Sequence, residues 1–145
     1  MGKLGYNHGD FGWNELATDN PAKAIAFYTE IFGWKTEEME MPCQDADGNT
    51  STNTYTVLVN GEEKVGGILA KSPEQANAPT AWMPYLTVDN VDQSVEKIFD
   101  LGGKVIAPPF DVPVEDGPRI AIIQDPGGAT LGIITYVNQA DEVLA

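Results

Sequence analysis

The six residues LATDNP at positions 16–21 return as LTVDNV at positions 86–91, and this duplication decides the fold. The same offset of 70 residues relates Trp13 to Met83 and Gly33 to Gly103. A repeat of this length indicates two similar supersecondary units, each with an apolar face to bury against the other. The cleft between the two repeats is therefore the first place where a functional site is expected.

Each repeat is predicted to begin with a strand and a helix. The first strand covers residues 11–18, after which Asn20 supplies a capping side chain and Pro21 suits the first turn of a helix. The helix is predicted to end at Phe32, because Gly33 supplies a C-terminal stop. Three β-type runs follow, at about 34–41, 53–60 and 64–70.

The second repeat has the same order. A strand is predicted at 83–88, and Asn90 caps a helix that ends at Gly102 and Gly103. Strand-like runs at about 104–107, 119–124 and 130–136 follow, the first interrupted by the pair Pro108-Pro109. Each repeat is thus β-α-β-β-β. We predict one domain of residues 1–145, with repeat one at about 8–71, a linker at about 71–80, repeat two at about 81–137 and a loose tail at 138–145.

Composition and charge argue against several classes of function. The net charge of −14, from 22 acidic and 8 basic residues, would repel phosphate backbones and anionic lipid surfaces, so neither nucleic acid nor membrane is expected as a partner. No segment approaches the roughly 20 apolar residues needed to span a bilayer. Because the chain has one cysteine and its N-terminus lacks the apolar run of a signal peptide, a cytoplasmic protein is expected.

Four motifs in order make the chain resemble the vicinal oxygen chelate superfamily, which includes glyoxalase I, bleomycin-resistance proteins, extradiol dioxygenases and fosfomycin-resistance enzymes. The motifs are AFYTEIFGW at 26–34, VGGI at 65–68, LTVDNV at 86–91 and QDPGGA at 124–129. The strand WNEL at 13–16 and the strand entry GPR at 117–119 look most like a broad glyoxalase-like group. The resemblance implies an α+β fold in which two β-α-β-β-β repeats form a U-shaped, barrel-like mixed sheet.

Metal-dependent members of this superfamily bind a divalent cation through one ligand from the first strand and one from the last strand of each repeat. Carried over position by position, these ligands fall on Trp13 and Met83, near Gly67 and on Gly132. An indole, a thioether and two glycines cannot form a site of oxygen and imidazole ligands. We therefore predict no metal and no other cofactor. His8 lies about five residues before the ligand position and is expected at the surface or at a strand edge.

Strand alternation predicts which side chains line the cleft instead. Leu16 and Leu86 are expected to face the helices, so the alternate side chains of both first strands should face the concave side. Gly67 and Gly132 are expected to leave open space there. The result resembles an apolar pocket with a few orienting polar groups, suited to a small planar or hydrophobic molecule. The predicted ligand-binding residues are Trp13, Glu15, Met83, Tyr85, Arg119 and Gly132.

These residues also have simpler interpretations. Trp13 and Met83 could equally form core packing or a dimer contact. An ionised carboxylate is costly to bury alone, so Glu15 should be hydrated, paired with another group or part of a functional site. It is either bound by a partner, for which Arg119 is one candidate, or a general acid or base with Tyr85 as a donor opposite. A rim location for Arg119 fits the sequence as well.

Two functions remain open at this point, beside the third possibility of a non-catalytic module that serves as a partner subunit. The leading hypothesis is a metal-independent small-molecule-binding protein that sequesters an aromatic or cationic compound, as bleomycin-resistance binders do. The alternative is a glyoxalase-like lyase or another enzyme of the superfamily, with Glu15 and Tyr85 as acid-base residues. The resemblance also implies a homodimer, so the expected partners are a small organic ligand and a second copy of the chain.

Overall fold

The computed structural model describes residues 5–44, 48–72 and 76–136. The chain divides into two compact units, residues 14–82 and residues 1–13 with 83–145, here called the first and the second unit. The predicted order β-α-β-β-β is confirmed for both repeats, and with it the α+β fold class. The prediction of a single domain stays a prediction, and the tail at 138–145 lies outside the described residues.

The first unit contains a mixed sheet with the strand order β2-β3-β4-β1. Strand β1 runs parallel to β4, whereas β2, β3 and β4 pair antiparallel. Residues 11–13 of β1 belong to the second unit. The elements are β1 (Phe11–Thr18), α1 (Pro21–Phe32), β2 (Lys35–Gln44), β3 (Thr50–Asn60) and β4 (Glu63–Ala70).

Helix α1 begins and ends where the sequence predicts. The Asn20 side chain accepts a hydrogen bond from the Lys23 amide at 3.1 Å, and Pro21 occupies the first turn. Gly33 adopts the left-handed conformation with φ 71°, and its N–H donates to the Thr29 carbonyl. The apolar side of the helix then packs on the sheet. Leu16, Leu58 and Ile68 form that buried core, with Ala24, Ile25, Tyr28, Trp34 and Val65 against it.

The second unit repeats this plan with the strand order β5-β8-β7-β6. Strand β5 runs parallel to β8, and β8, β7 and β6 pair antiparallel. Asn90 caps the helix by accepting a hydrogen bond from the Gln93 amide at 3.0 Å. The elements are β5 (Ala81–Thr87), α2 (Val91–Ile98), β6 (Lys104–Asp111), β7 (Arg119–Gln124) and β8 (Thr130–Thr135).

Two details of the second unit differ from the sequence-based prediction. A 3₁₀ turn, Phe99–Leu101, extends α2, and the left-handed residue that ends it is Gly102 with φ 90°. The stop at Gly102 was predicted, and it lies one residue before Gly103, the repeat equivalent of Gly33. Strand β6 also continues through Pro108 and Pro109. Strand β6 is the last strand in the order of this sheet, and its register with β7 shifts around the prolines. Edge strands and irregular pairings tolerate proline, because its missing N–H is not needed there for a ladder hydrogen bond.

The sheet of the second unit buries apolar side chains on both faces. On the helix side, Ala121, Ile123 and Ile133 pack with Val91 of α2. On the opposite face, Tyr85, Ile120 and Ile134 form a separate cluster. Adjacent residues of β7 and β8 alternate between these clusters, as the period of two requires. No helix in the described part of the chain is long and apolar enough to cross a membrane.

Candidate functional site

Gly67 and Gly132 occupy equivalent places in the two repeats. Glu15 lies opposite Gly67 in the β1–β4 pair, and Tyr85 lies opposite Gly132 in the β5–β8 pair. Glu15 and Tyr85 are themselves 70 residues apart, the offset of the duplication. The register therefore places both glycines at equivalent points of the last strand of each repeat, where the last-strand ligands are predicted.

Tyrosine rings fill the space beside both glycines, so the prediction of open space there is wrong. A Cβ atom on Gly67 would collide with the ring and hydroxyl of Tyr55, and one on Gly132 would collide with the ring of Tyr85. The two tyrosines are buried, with exposures of 9% and 4%. Each ring lies so close to a strand backbone that only a residue without a side chain fits beneath it.

The residues at the four ligand positions do not fit a divalent cation. Trp13 and Met83 present an indole and a thioether, while Gly67 and Gly132 present no side-chain donor and lie under rings. Hard cations and zinc require oxygen, imidazole or thiolate ligands. Within residues 5–44, 48–72 and 76–136, no group of three or more His, Cys, Asp or Glu side chains could hold a metal ion.

Four predicted ligand-binding residues come together on one face of the second unit. Trp13 and Met83 pack against the buried cluster that contains Tyr85, on the sheet face opposite α2. Both are only half-buried, so part of each side chain remains accessible. Together with Gly132 under the Tyr85 ring, they form an apolar surface, here called the Trp13 face. Such a surface suits contact with an apolar or aromatic molecule.

Arg119 does not join the Trp13 face. It lies on β7 beside Ile120, and alternation directs it to the helix side, where its Nε and Nη2 donate to the Asp92 carboxylate of α2 at 2.7 and 3.0 Å. Its Nη1 donates to Asp111 of β6 at 3.2 Å. The Arg119 hydrogen bonds hold the pKa of Asp92 below its usual range, and both carboxylates raise the pKa of the guanidinium. Arg119 thus links three elements of the second unit.

The remaining polar candidates of the sequence are Glu15 and His8. Glu15 is half-buried on β1 in the first unit, whereas its proposed acid-base partner Tyr85 belongs to the second unit. His8 is exposed, and its Nδ1 accepts a hydrogen bond from the Asp89 amide at 2.9 Å. It thus lies at the surface beside the strand end.

A pocket that the sequence reasoning missed lies on the helix-covered face of the first unit. Its volume is about 270 Å³, and it adjoins the core of Leu16, Leu58 and Ile68. One signal was available in the sequence. Asn14 lies two residues before Leu16 on β1, so strand alternation places both on the helix-covered face. The lining residues are Asn14, Trp34, Leu58, Val65, Gly66 and Trp82.

The family comparison agrees with the architecture. Residues 10–133 match the family described as the Glyoxalase/Bleomycin resistance protein/Dioxygenase superfamily. The chain is 35% identical over 129 residues to the protein named "Putative glyoxylase CFP32" of Mycobacterium tuberculosis, covering 88% of this chain and 46% of the relative. It is 26% identical over 125 residues to the anthracycline biosynthesis protein DnrV of Streptomyces peucetius, covering 83% and 45%. The chain therefore belongs to the glyoxalase/bleomycin resistance/dioxygenase superfamily, and it spans about half the length of the curated relatives it matches.

A solved structure supports the fold. The Mn(II)-bound glyoxalase of Novosphingobium aromaticivorans is similar with a TM-score of 0.59 and 14% identity, over 94% of this chain and 40% of that one. At this identity the likeness supports the fold alone.

Proposed function

We propose that this protein is a metal-independent small-molecule-binding member of its superfamily, and that the Trp13 face contacts the ligand. The observation that carries the proposal is the filling of both last-strand ligand positions. Gly67 and Gly132 supply no donor, and Tyr55 and Tyr85 occupy the space that a ligand side chain would need. Because function resides in the site rather than in the fold, the metal chemistry of relatives does not transfer to these residues.

An aromatic or cationic organic compound is the proposed ligand class. The half-buried indole of Trp13 offers a ring face for stacking or for a cation–π contact. The net charge of −14 favours a cationic guest over an anionic one. A relative named for anthracycline biosynthesis agrees with an aromatic compound. We further propose that the protein sequesters this compound as a cytoplasmic homodimer. Sedimentation analysis of the purified chain would measure whether it forms a dimer.

Thermal-shift screening of the purified chain tests this proposal. Aromatic cationic compounds are expected to raise Tm, since a ligand at a hundredfold excess over Kd stabilises the folded state by about 2.7 kcal/mol. Trp13→Ala should abolish the shift. Phe99→Ala is the control, because Phe99 is 83% exposed in the same unit outside the Trp13 face. Absence of any shift across the library, or stoichiometric Ni, Zn, Mn or Fe in the purified protein, would contradict the proposal.

A second candidate function is favoured by the 35% identity to a relative named as a glyoxylase. In that case the protein is an enzyme of the superfamily, with Glu15 and Tyr85 as acid-base residues. The test is turnover of a hemithioacetal of methylglyoxal by the purified chain, with and without a chelator. Turnover that survives the chelator and falls at least tenfold in Glu15→Gln would support this candidate. Unchanged turnover in Glu15→Gln would remove Glu15 from the mechanism.

A further inference from the structure

We propose that the pocket on the helix-covered face of the first unit is a ligand site of its own, for a flat, neutral aromatic molecule of one or two rings that carries one hydrogen-bonding group. We call it the Trp34–Trp82 pocket. It shares no residue with the Trp13 face. The inference therefore goes beyond the proposed function and does not depend on it.

A β-bulge shapes one wall of the pocket. In the β3–β4 pair, Leu58 lies opposite Gly66 but Val59 lies opposite Lys64, so Val65 is an extra residue in β4. Strict alternation would place Val65 on the face of Gly67, away from the helix. The bulge turns it to the helix side instead, where it packs against the core that includes Leu58. Bulges commonly redirect a side chain in this way beside functional sites.

A close backbone approach keeps the adjacent part of the pocket open. A Cβ atom on Gly66 would lie 2.5 Å from the carbonyl oxygen of Asn14, closer than two such atoms can approach. Only glycine therefore fits between β4 and β1 here. Val65 and Gly66 together leave a concave surface where a regular pair of larger side chains would fill the space.

Tyr28 of α1 holds the two indole walls in place. The Trp34 ring stacks on Phe32 at 5.0 Å and on Tyr28 at 6.2 Å, directly after the left-handed turn at Gly33. The Trp82 ring meets Tyr28 edge-on at 5.3 Å, and its Nε1 donates to the Tyr28 hydroxyl at 3.0 Å. Trp34 is half-buried and Trp82 is 37% exposed. Both rings are thus oriented by internal contacts while part of each remains accessible.

The lining selects the ligand class. Two indoles with Leu58 and Val65 favour an aromatic ring, and none of the described residues that line the pocket is charged, which favours a neutral molecule. A volume of about 270 Å³ lies just below the roughly 300–1,000 Å³ typical of drug-sized ligands, so one or two rings fit. Asn14 is exposed at the edge, and its amide both donates and accepts hydrogen bonds. It can therefore bind one hydroxyl or amine of the ligand.

The probe is 2-naphthol, titrated into the ¹⁵N-labelled full chain and followed by NMR. The sequence has three tryptophans, Trp13, Trp34 and Trp82, so the indole N–H signals report on both surfaces separately once Trp→Phe variants assign them. We expect the Trp34 and Trp82 signals to shift in a saturable way with one Kd. The Trp13 signal provides the internal comparison.

Val65→Phe is the blocking variant, because the larger ring would occupy the pocket. Its Kd for 2-naphthol should rise at least tenfold. Val105→Phe is the matched control, since Val105 is 38% exposed on β6 of the second unit, and its Kd should be unchanged. Trp82→Ala is a second variant that removes an exposed wall without filling the core, and it should also weaken binding at least tenfold. Circular dichroism melting verifies that each variant is folded.

The outcomes separate this inference from the proposed function. If the Trp34 and Trp82 signals stay unmoved, the inference is overturned. If only the Trp13 signal moves, the Trp13 face gains support while this inference falls. If the Trp34 and Trp82 signals change on dilution without 2-naphthol, a second copy of the chain covers the pocket and the inference is likewise overturned. Saturable shifts that Val65→Phe and Trp82→Ala weaken would establish the site.

Discussion

Single glycines account for the most unusual local geometry of this protein. Gly67 and Gly132 could be placed from the sequence, because the superfamily motifs fix their position along the last strands. The tyrosine rings that cover these glycines could not be predicted. Tyr55 reaches Gly67 across the β3–β4 pair, and side-chain packing between strands depends on rotamers that no local pattern encodes. The sequence therefore located both glycines in the last strands but misjudged the space beside them.

Gly132→Ala should destabilise the protein. The new Cβ atom would collide with the buried Tyr85 ring, and overpacking of this kind costs roughly 1–3 kcal/mol in the free energy of unfolding. Urea denaturation of the two proteins measures the difference. Gly127→Ala is the control, since a Cβ there would meet nothing closer than the Asp125 carboxylate at 3.5 Å. Equal stability of the Gly132→Ala variant and the original chain would mean that the ring does not lie against this strand.

Among the secondary-structure elements, the starts of both helices were predicted more accurately than the extent of β6. Capping by Asn20 and Asn90 depends on contacts within four residues, so the sequence alone locates both helix starts. The continuation of β6 through Pro108 depends on its pairing with β7, which is a long-range property. The bulge at Val65 has the same origin, and this is why the pocket beside it escaped sequence analysis.

The arginine bridge between α2 and β7 should make stability depend on pH. The folded protein holds the pKa of Asp92 below its ordinary value, so the Asp92–Arg119 pair contributes stability at pH values above that ordinary value and loses it as pH falls through the lowered pKa. Asp92→Asn should accordingly lower Tm near neutral pH, by a small amount because the pair is exposed. The difference from the original chain should shrink under acidic conditions. Calorimetry over a pH series measures it.

Asp100→Asn serves as the comparison for this variant. Asp100 is an exposed aspartate in the 3₁₀ turn after α2 and lies outside the Arg119 contacts. Asp100→Asn removes one negative charge, as Asp92→Asn does, so it corrects for the effect on Tm of a lower net negative charge. A Tm difference between Asp92→Asn and Asp100→Asn that stayed constant across the pH series would rule out the bridge as its source.

Considered as a whole molecule, the chain combines a securely predicted fold with a strongly acidic composition. The motifs predicted the superfamily because four of them occur in order over most of the chain. The charge of −14 could not identify a ligand, since net charge affects solubility and association rather than fold. It does have a consequence for stability, because like charges repel one another more strongly when the chain is compact.

Added salt should therefore stabilise the protein. Raising NaCl from about 0.01 M to about 0.15 M shortens the Debye length from about 30 Å to about 8 Å, which screens repulsion among the 22 acidic side chains. Screening of the exposed ion pairs acts in the other direction but is weaker, since each pair contributes little. Differential scanning calorimetry should record a rise in Tm, reproduced by KCl and absent with a neutral solute of equal osmolality. A fall in Tm would mean that attractive pairs dominate.

The tyrosine that covers each glycine comes from a different strand, Tyr55 from β3 in one repeat and Tyr85 from β5 in the other. The two repeats thus fill equivalent spaces with rings from strands that are not equivalent. Introducing a ligand side chain at either glycine requires two simultaneous changes, one at the glycine and one at the ring above it. A single substitution at the glycine would therefore produce a clash before it produced a ligand, so neither position can acquire a metal-binding side chain in one step.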